Sequence, residues 1–473
     1  MNALMAAPSL SIASVIEATG GRALAPLPGV PALRSVSIDS RTLEPGALFV
    51  AIRGPRFDGH DFLAQARARG AAAALVEREV AAPTGLALVR VADTTRALAD
   101  LARHARRATT IPFVGVTGSV GKTTTKDMTA ELLSVRGPVL KTEGNLNNQY
   151  GLPLTLTRLE PRHTAAVLEL GMSAPGEIRA LAALAEPDVA VITRIAPVHL
   201  EFFPSLDAIA DAKAEIFEGL RPSGVAVLNG DDPQLVRIAD RFGGRKLWFG
   251  RDRRFDVSAE HWRGTAFGMR FELRLAGQSL DVALPLAGPH FVSNFLAAAG
   301  AAHVLGTTPD AIVEGALRMK PARHRGEIRR LGAGVVVLDD CYNSSPTALE
   351  AAVVALGLVP GLRRVAVVGD MLELGLAGPG LHREAGRTLA GRADVVVGIG
   401  PLSRELVLGA RAAGAPASAV LHFASAAEAA PAVASLVSPG DAVLVKASRG
   451  LRLEQVVDAL VARFGETAGE TAS

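Results

Sequence analysis

The sequence predicts an α/β protein of three domains: a small mixed α/β N-terminal domain, a central doubly wound parallel-sheet domain and a C-terminal Rossmann-like domain. Three observations predict it. The chain has 473 residues, enough for about three domains at roughly 150 residues each. Hydrophobic residues make up 49% and charged residues 21%, so every domain can bury a core. From Ile111 onward, short apolar runs alternate with helical patterns, as in parallel sheets covered on both faces.

The elements follow in order. VSIDS (36–40) and ALFVAI (47–52) read as strands, and 61–70 as a helix ending at Gly70. AAALVE (72–77) and LALVRV (86–91) read as further buried strands, completing a first domain expected over 1–109. Its notable turns are Asp39-Ser40-Arg41 and the loop 53–60. The second domain, expected over 110–321, has strands at FVGVTG (113–118), AAVLELG (165–171), DVAVITRI (188–195) and GVAVLNGDDP (224–233). Between Phe255 and Leu286 the helical patterns vanish, which predicts a small antiparallel addition. Two Ala-rich helices follow, over 291–305 and 309–318. Past Pro321 the third domain, 322–473, repeats the alternation: GEIRRL, GVVVLDD, a helix after Pro346, then RRVAVVGD, ADVVVGIG, AVLHFA and DAVLVKAS, with helical patterns between them. The polar tail 465–473 is expected to fray.

Composition excludes several function classes. Fifty basic residues face 47 acidic ones, which gives a net charge of +3 and no electrostatic footprint for nucleic acid. Cys341 is the single cysteine, so neither a disulfide framework nor a Cys-based zinc cluster can form. No apolar run approaches the roughly 18 residues of a membrane span. The N-terminus has no basic residue before Arg22 and carries Glu17 in its apolar stretch, unlike a secretory signal. These features predict a soluble cytoplasmic protein, expected to be monomeric.

The strongest chemical signal is Thr117-Gly118-Ser119-Val120-Gly121-Lys122-Thr123-Thr124, between an apolar strand and a helical stretch. Backbone N–H groups of such a loop and the helix N-terminus form a nest for phosphates. Lys122 is placed to reach the β/γ-phosphates and the Thr123 hydroxyl to bind Mg²⁺. The central domain thus reads as a P-loop ATPase domain. Glu169 ends the next strand, at the carboxyl edge where ligands of open α/β sheets bind, and offers a second Mg²⁺ ligand. His199 follows the strand after that, and at such an edge it is a candidate metal ligand. Only seven of the 50 basic residues are lysines, so Lys213 within a helical pattern suggests a need for a primary amine; an ordinary surface lysine is the alternative. In the third domain Asp339-Asp340-Cys341-Tyr342-Asn343 ends a strand with a carboxylate and an amide. Cys341 has no partner base in its neighbourhood and reads as a small buried filler.

These pieces together resemble the Mur ligases of peptidoglycan synthesis across nearly the whole chain. The landmarks are TGSVGKTTTKDM, TEGNLNNQYGLP, LELGMSAPGEI, HLEFF with AKAEIF, and DDCYNSSP followed by VVGDMLELG. The Asn-rich stretch, the DD-x-YN string and GDM-x-ELG point to the branch that adds D-alanyl-D-alanine, and KASRG (446–450) stands at the final strand end as in that branch. The resemblance implies an ADP-forming amide ligase acting through an acyl phosphate. Its small-molecule substrates would be ATP, D-Ala-D-Ala and a UDP-N-acetylmuramoyl-tripeptide. Ser40 and Arg41 would lie near the UDP end, and Asn145, Asn147 and Asn148 near the sugar-peptide. Thr123 and Glu169 would hold one Mg²⁺, and His199 with a carbamylated Lys213 the second. Asn294 matches an adenine-contacting residue. Arg325, Asp340 and Asn343 match residues that close onto ATP, and Lys446, Ser448 and Arg449 would meet the dipeptide. Val120 and Ser344-Ser345 depart from the usual pattern.

Three other readings compete. A sister ligase adding diaminopimelate would show Asp-Asn-Pro-Arg, a string missing from this sequence. A folylpolyglutamate synthase would lack the Y-N and GDM-x-ELG landmarks. A non-catalytic nucleotide switch leaves His199, Lys213 and the polar strand ends of the third domain without a purpose.

Overall fold

The computed structural model describes residues 10–25, 32–265 and 268–467. The first nine residues and the end of the tail expected to fray lie outside them. By packing, the chain divides into two compact units. One comprises 1–116, 133–190 and 215–224; the other comprises 117–132, 191–214 and 225–473.

Three sheets account for the strands. The N-terminal sheet has the order Arg22–Ala23, Ala87–Arg90, Ala73–Val76, Leu48–Val50, Val36–Ser37. Its pairings are parallel except for the edge strand Arg22–Ala23. VSIDS contributes only two residues to it, because the chain turns at Asp39, whose carboxylate accepts the Arg41 N–H at 2.8 Å. Alternate residues of its central strands feed two apolar clusters, one around Leu48, Val50 and Leu75 and one around Phe49, Ala74 and Leu88, as the two-residue side-chain period of a strand requires.

The nine-stranded sheet has the order Gln278–Leu284, Gly268–Leu275, Val257–Thr265, Arg245–Gly250, Val225–Asn229, Val189–Ile192, Phe113–Thr117, Ala165–Glu169, Val139–Lys141. Residues of Phe113–Thr117, Ala165–Glu169, Val189–Ile192 and Val225–Asn229 are buried throughout, which is why they read as unbroken apolar runs. The helix-free stretch after Phe255 is no separate addition. Val257–Thr265 pairs parallel to Arg245–Gly250, and two antiparallel hairpin partners then extend the same sheet.

The C-terminal sheet has the order Glu327–Arg330, Val336–Asp339, Ala442–Lys446, Arg364–Gly369, Val395–Ile399, Val420–Phe423, with only the first strand antiparallel. Its last strand inserts between Val336–Asp339 and Arg364–Gly369. That crossover sets Lys446 beside the Asp339-Asp340 turn, although 106 residues separate Lys446 from Asp340. Apolar clusters cover both faces, one under Val433 and Val456, the other under Leu349 and Leu406.

Helix ends follow local chemistry. Ser345, Thr308 and Asp232 cap their helices, and Pro346, Pro309 and Pro233 occupy first-turn positions, where a missing N–H costs nothing. Arg106, 2% exposed, closes another helix from outside. Its Nε and Nη2 donate to the carbonyls of Ala185 (2.7 Å) and Glu186 (2.8 Å), at the end of the helix Glu177–Ala185. Its guanidinium lies 3.9 Å from the Phe113 ring centroid. Among the described residues, no helix is long and apolar enough to cross a membrane.

Candidate active site

The phosphate loop links the strand Phe113–Thr117 to the helix Lys122–Leu133. Gly118 (φ +143°) and Gly121 (φ +85°) adopt backbone conformations open to glycine. Space demands glycine too. A Cβ at Gly118 would overlap the Thr193 hydroxyl, and one at Gly121 would overlap the Asn294 carboxamide. Thr193 fastens the loop: its hydroxyl donates to the Val120 carbonyl at 2.6 Å, and the Ser119 N–H donates to the Arg194 carbonyl at 2.7 Å. Asn229 donates in turn to the Thr193 carbonyl at 3.1 Å, and Asp232 accepts the Ile195 N–H at 2.7 Å. The Lys122 ammonium lies on the loop's own carbonyls, 2.7 Å from Gly118 O and 3.2 Å from Ser119 O. Thr123 and Ser119 are buried at its base. A glycine-bearing turn between a strand end and a helix N-terminus is the kind of backbone that receives phosphates.

Lys213 sits on the helix Leu206–Ala214 and is 1% exposed. It is not the surface lysine that composition left open. Burial, and secondarily the charge of Lys122, pushes its amine well below the usual lysine range. His199 lies in the loop after Val189–Ile192 in the left-handed region, φ +57°. Its Nδ1 is 2.6 Å from a carboxylate oxygen of Glu373, an ion-pair contact bent out of hydrogen-bond alignment. That partner holds the Glu373 carboxyl below its ordinary range.

At the C-terminal strand ends, Lys446 donates to Asp340 at 2.5 Å and to the Asn343 carbonyl at 3.1 Å. Burial raises the Asp340 carboxyl, and Lys446 and then Arg325 act against that rise. Arg325 stacks 3.9 Å over the Tyr342 ring centroid. Asp339 accepts from Cys341 Sγ at 3.1 Å and contacts His324 Nδ1 at 2.8 Å. Burial is the main cause that pushes the Cys341 thiol up, in line with a filler and not a nucleophile.

Two of the three turn residues expected to meet a dipeptide are engaged inside the protein. The Lys446 side chain is 3% exposed in its pair with Asp340, and the Ser448 hydroxyl accepts the Leu372 N–H at 2.9 Å. Arg449 is exposed and pairs with Glu454 at 3.1 Å.

In the other unit, Glu169 is 3% exposed and accepts from the Asn147 side-chain amide at 2.7 Å. Its own N–H donates to the Thr142 hydroxyl at 3.0 Å. Asn147 thus orients Glu169, a link sequence reading missed. Asn148 caps the following turn by accepting from Tyr150 and Gly151, while Asn145 is exposed. Ser40 is buried and donates to Gln65 at 2.6 Å; Arg41 is exposed and pairs with Asp39 at 2.8 Å. Thr193, Asn229, Asp232 and Glu373 are further polar residues that sequence reading passed over. The signal for the first three was available: each stands where an apolar strand gives way to its carboxyl-end loop.

Family models match in three stretches: "Mur ligase family, catalytic domain" over 32–106, "Mur ligase middle domain" over 116–302, and "Mur ligase, glutamate ligase domain" over 324–449. A curated relative from Escherichia coli (strain K12), the UDP-N-acetylmuramoyl-tripeptide–D-alanyl-D-alanine ligase, is 39% identical over 90% of this chain and 94% of its own length. Among solved structures, MurF from Acinetobacter baumannii superposes with a TM-score of 0.88 at 33% identity, covering 97% of this chain and 100% of that one. The MurF ligase from Thermotoga maritima in complex with ADP gives 0.81 at 33% identity, covering 91% and 97%.

Proposed function

This chain belongs to the Mur ligase family, and from that premise we propose that it joins D-alanyl-D-alanine to a UDP-N-acetylmuramoyl-tripeptide while ATP is cleaved to ADP and phosphate. The observation that carries the reaction type is the loop 117–124, which turns from strand to helix through Gly118 (φ +143°) and Gly121 (φ +85°) at positions where Thr193 and Asn294 press too close for a Cβ. The substrate pair follows from the relatives and from the DDCYN and GDMLELG landmarks. The place of action is the cytoplasm, where ATP and nucleotide-linked precursors occur.

The peptide carboxylate attacks the γ-phosphorus of ATP; the bond to the β-phosphate oxygen breaks and an acyl phosphate forms. The amine of D-Ala-D-Ala then attacks the acyl carbon and expels phosphate. Phosphoryl transfer is mainly positioning and charge neutralisation. Lys122 supplies a cation at the phosphates, and Asn294, against the loop at Gly121, contacts adenine. Arg325, braced on Tyr342, and Asp340 with Asn343, fixed by Lys446, come from the third domain. Lys446 acts through Asp340 and Asn343 and Ser448 through the Leu372 N–H, which leaves the exposed guanidinium of Arg449 as the turn's group for the dipeptide carboxylate. Ser40 and Arg41 serve the UDP end; Asn145, Asn147 and Asn148 serve the sugar-peptide.

The donor set suits Mg²⁺, which prefers hard oxygen ligands. The Thr123 hydroxyl and the Glu169 carboxylate are such donors, and each keeps the ligand role its match to the family pattern gives. When bound, the ions would neutralise charge on the transferring phosphoryl group. An ammonium at Lys213 would repel a cation beside His199. A carbamate there would offer oxygen instead; it forms when the neutral amine adds to CO₂ and releases a proton, and burial favours that neutral amine. We therefore read Lys213 as carbamylated in the active enzyme. Lys213→Ala should be nearly inactive and regain part of its turnover with formate or acetate, while Lys213→Arg should not be rescued. A fully active Lys213→Arg enzyme would overturn the carbamate.

The experiment that tests the function is phosphate release with ATP, Mg²⁺ and the UDP-linked tripeptide. Release should require D-Ala-D-Ala. Release driven equally by diaminopimelate or glutamate in its place would overturn the substrate assignment.

A further inference from the structure

Glu373 has no role in the chemistry above, yet the protein fixes it from several sides. It lies in the loop Gly369-Asp370-Met371-Leu372-Glu373-Leu374-Gly375 after the strand Arg364–Gly369. Asp370 anchors the start, accepting from the Leu402 N–H (3.2 Å) and from the Ser403 N–H and hydroxyl (2.7 Å each). The Met371 N–H donates to the fully buried His382 at 2.9 Å, and the Leu372 N–H donates to Ser448 at 2.9 Å. So fixed, Glu373 takes φ +63° and faces His199 at φ +57°. Both are side-chained residues in the left-handed region, where the backbone is strained, and such outliers persist where surrounding structure enforces them.

The contact with the 199–201 loop is a fitted one. Besides the 2.6 Å approach of the Glu373 carboxylate to His199 Nδ1, the Glu201 N–H donates to the Glu373 carbonyl at 3.4 Å. A Cβ at Gly375 would press to 3.3 Å against Glu201 Cα. Leu200 packs against the apolar cluster of the C-terminal sheet.

The carboxylate charge 2.6 Å from Nδ1, though off hydrogen-bond alignment, favours the imidazole tautomer that carries its proton there and leaves the Nε2 lone pair for a metal. We propose that Glu373, carried on the third domain, is a positioning residue for His199, so that the affinity of the second metal site depends on the third domain's loop. This rests on the reading of His199 as a metal ligand. The device would tie metal loading to the presence of Arg325 and Asp340, which belong to the same domain.

The test is Mn²⁺ titration of the full chain, followed by electron paramagnetic resonance, with a non-hydrolysable ATP analogue. The wild type should show two classes of bound Mn²⁺. Glu373→Ala should weaken the second class about tenfold or more and leave the first unchanged. Glu373→Gln keeps an acceptor oxygen and should recover part of the loss. The KM for Mg²⁺ should rise in Glu373→Ala with kcat at saturating metal nearly kept, which loss of structure would not produce. His199→Ala is the companion measurement. If it weakens the second class and Glu373→Ala does not, the coupling is wrong and the metal reading stands. If His199→Ala leaves both classes intact, the metal reading fails and the coupling with it.

Discussion

The carboxyl ends of two parallel sheets are put to opposite uses in this molecule. In the nine-stranded sheet, Thr193, Asn229 and Asp232 at the strand ends bind backbone. Thr193, held in turn by Asn229, clamps the phosphate loop and presses too close to Gly118 for a Cβ to fit there. In the C-terminal sheet, the polar residues at the strand ends also pair side chain to side chain. Lys446 takes Asp340, Asp339 takes His324 and Cys341, and Asp370 takes Ser403. One edge is built to receive a ligand; the other is built to present a few fixed groups. The same topology supports both, because what differs is the placement of glycine against paired charge.

Three experiments sharpen or break that contrast. The largest effect is expected at the receiving edge. Lys122→Ala should cut turnover by roughly 10²–10³-fold, about 3–4 kcal/mol, with thermal stability little changed. A folded variant with near-normal turnover would end the assignment of the loop. At the presenting edge the order should reverse, with stability failing first. Lys446→Met leaves Asp340 without its ammonium in a largely buried place, at a cost of about 3 kcal/mol, and Lys446→Met with Asp340→Leu should regain most of it. Chemical denaturation of the two variants decides; an unaltered midpoint in Lys446→Met would mean that the presenting edge is not held by its pairs.

The smallest effect concerns His290, half-buried in the first turn of the helix Pro289–Val304, with its Nδ1 atom buried and unpartnered and the charge of Lys446 acting on it. Burial lowers its pKa to about 4 from an ordinary 6.5. The unfolded chain therefore binds a proton between those values and the folded chain does not, so stability falls as pH drops through that window. The loss should be on the order of 2 kcal/mol. His290→Gln should lose less stability than the wild type between pH 6.5 and 4; parallel pH profiles would remove His290 from the account.

What the sequence disclosed depended on distance along the chain. The phosphate loop and the buried strands were legible because their signals are local: eight consecutive residues in one case, unbroken apolar runs in the other. The antiparallel hairpins after Phe255 were legible as strands, but their continuation of the nine-stranded sheet was not, since one parallel pairing decides it. Lys213 could not be placed, because composition is silent on which face of a helix meets the core. The pairs Lys446–Asp340 and His199–Glu373 were invisible for a stronger reason. The first depends on a late strand inserting between two earlier ones, and the second on two loops 174 residues apart in sequence meeting in space.

Arg106 bears on how freely the N-terminal domain can be exchanged. Family proteins built from separable domains invite the view that each is a cartridge, joined to the next by a cuttable linker. Here the last turn of the helix Thr94–Arg107 supplies the cap for the helix Glu177–Ala185 of the middle domain and a lid over Phe113. A chimera spliced between 108 and 111 that imports a foreign first domain without an equivalent arginine would expose two carbonyls and an aromatic face in its neighbour. The helix Thr94–Arg107 serves both sides, since its Ala97, Leu98 and Leu101 also pack into the core of the N-terminal sheet, so a workable chimera keeps this helix with the first domain and restores an arginine at position 106.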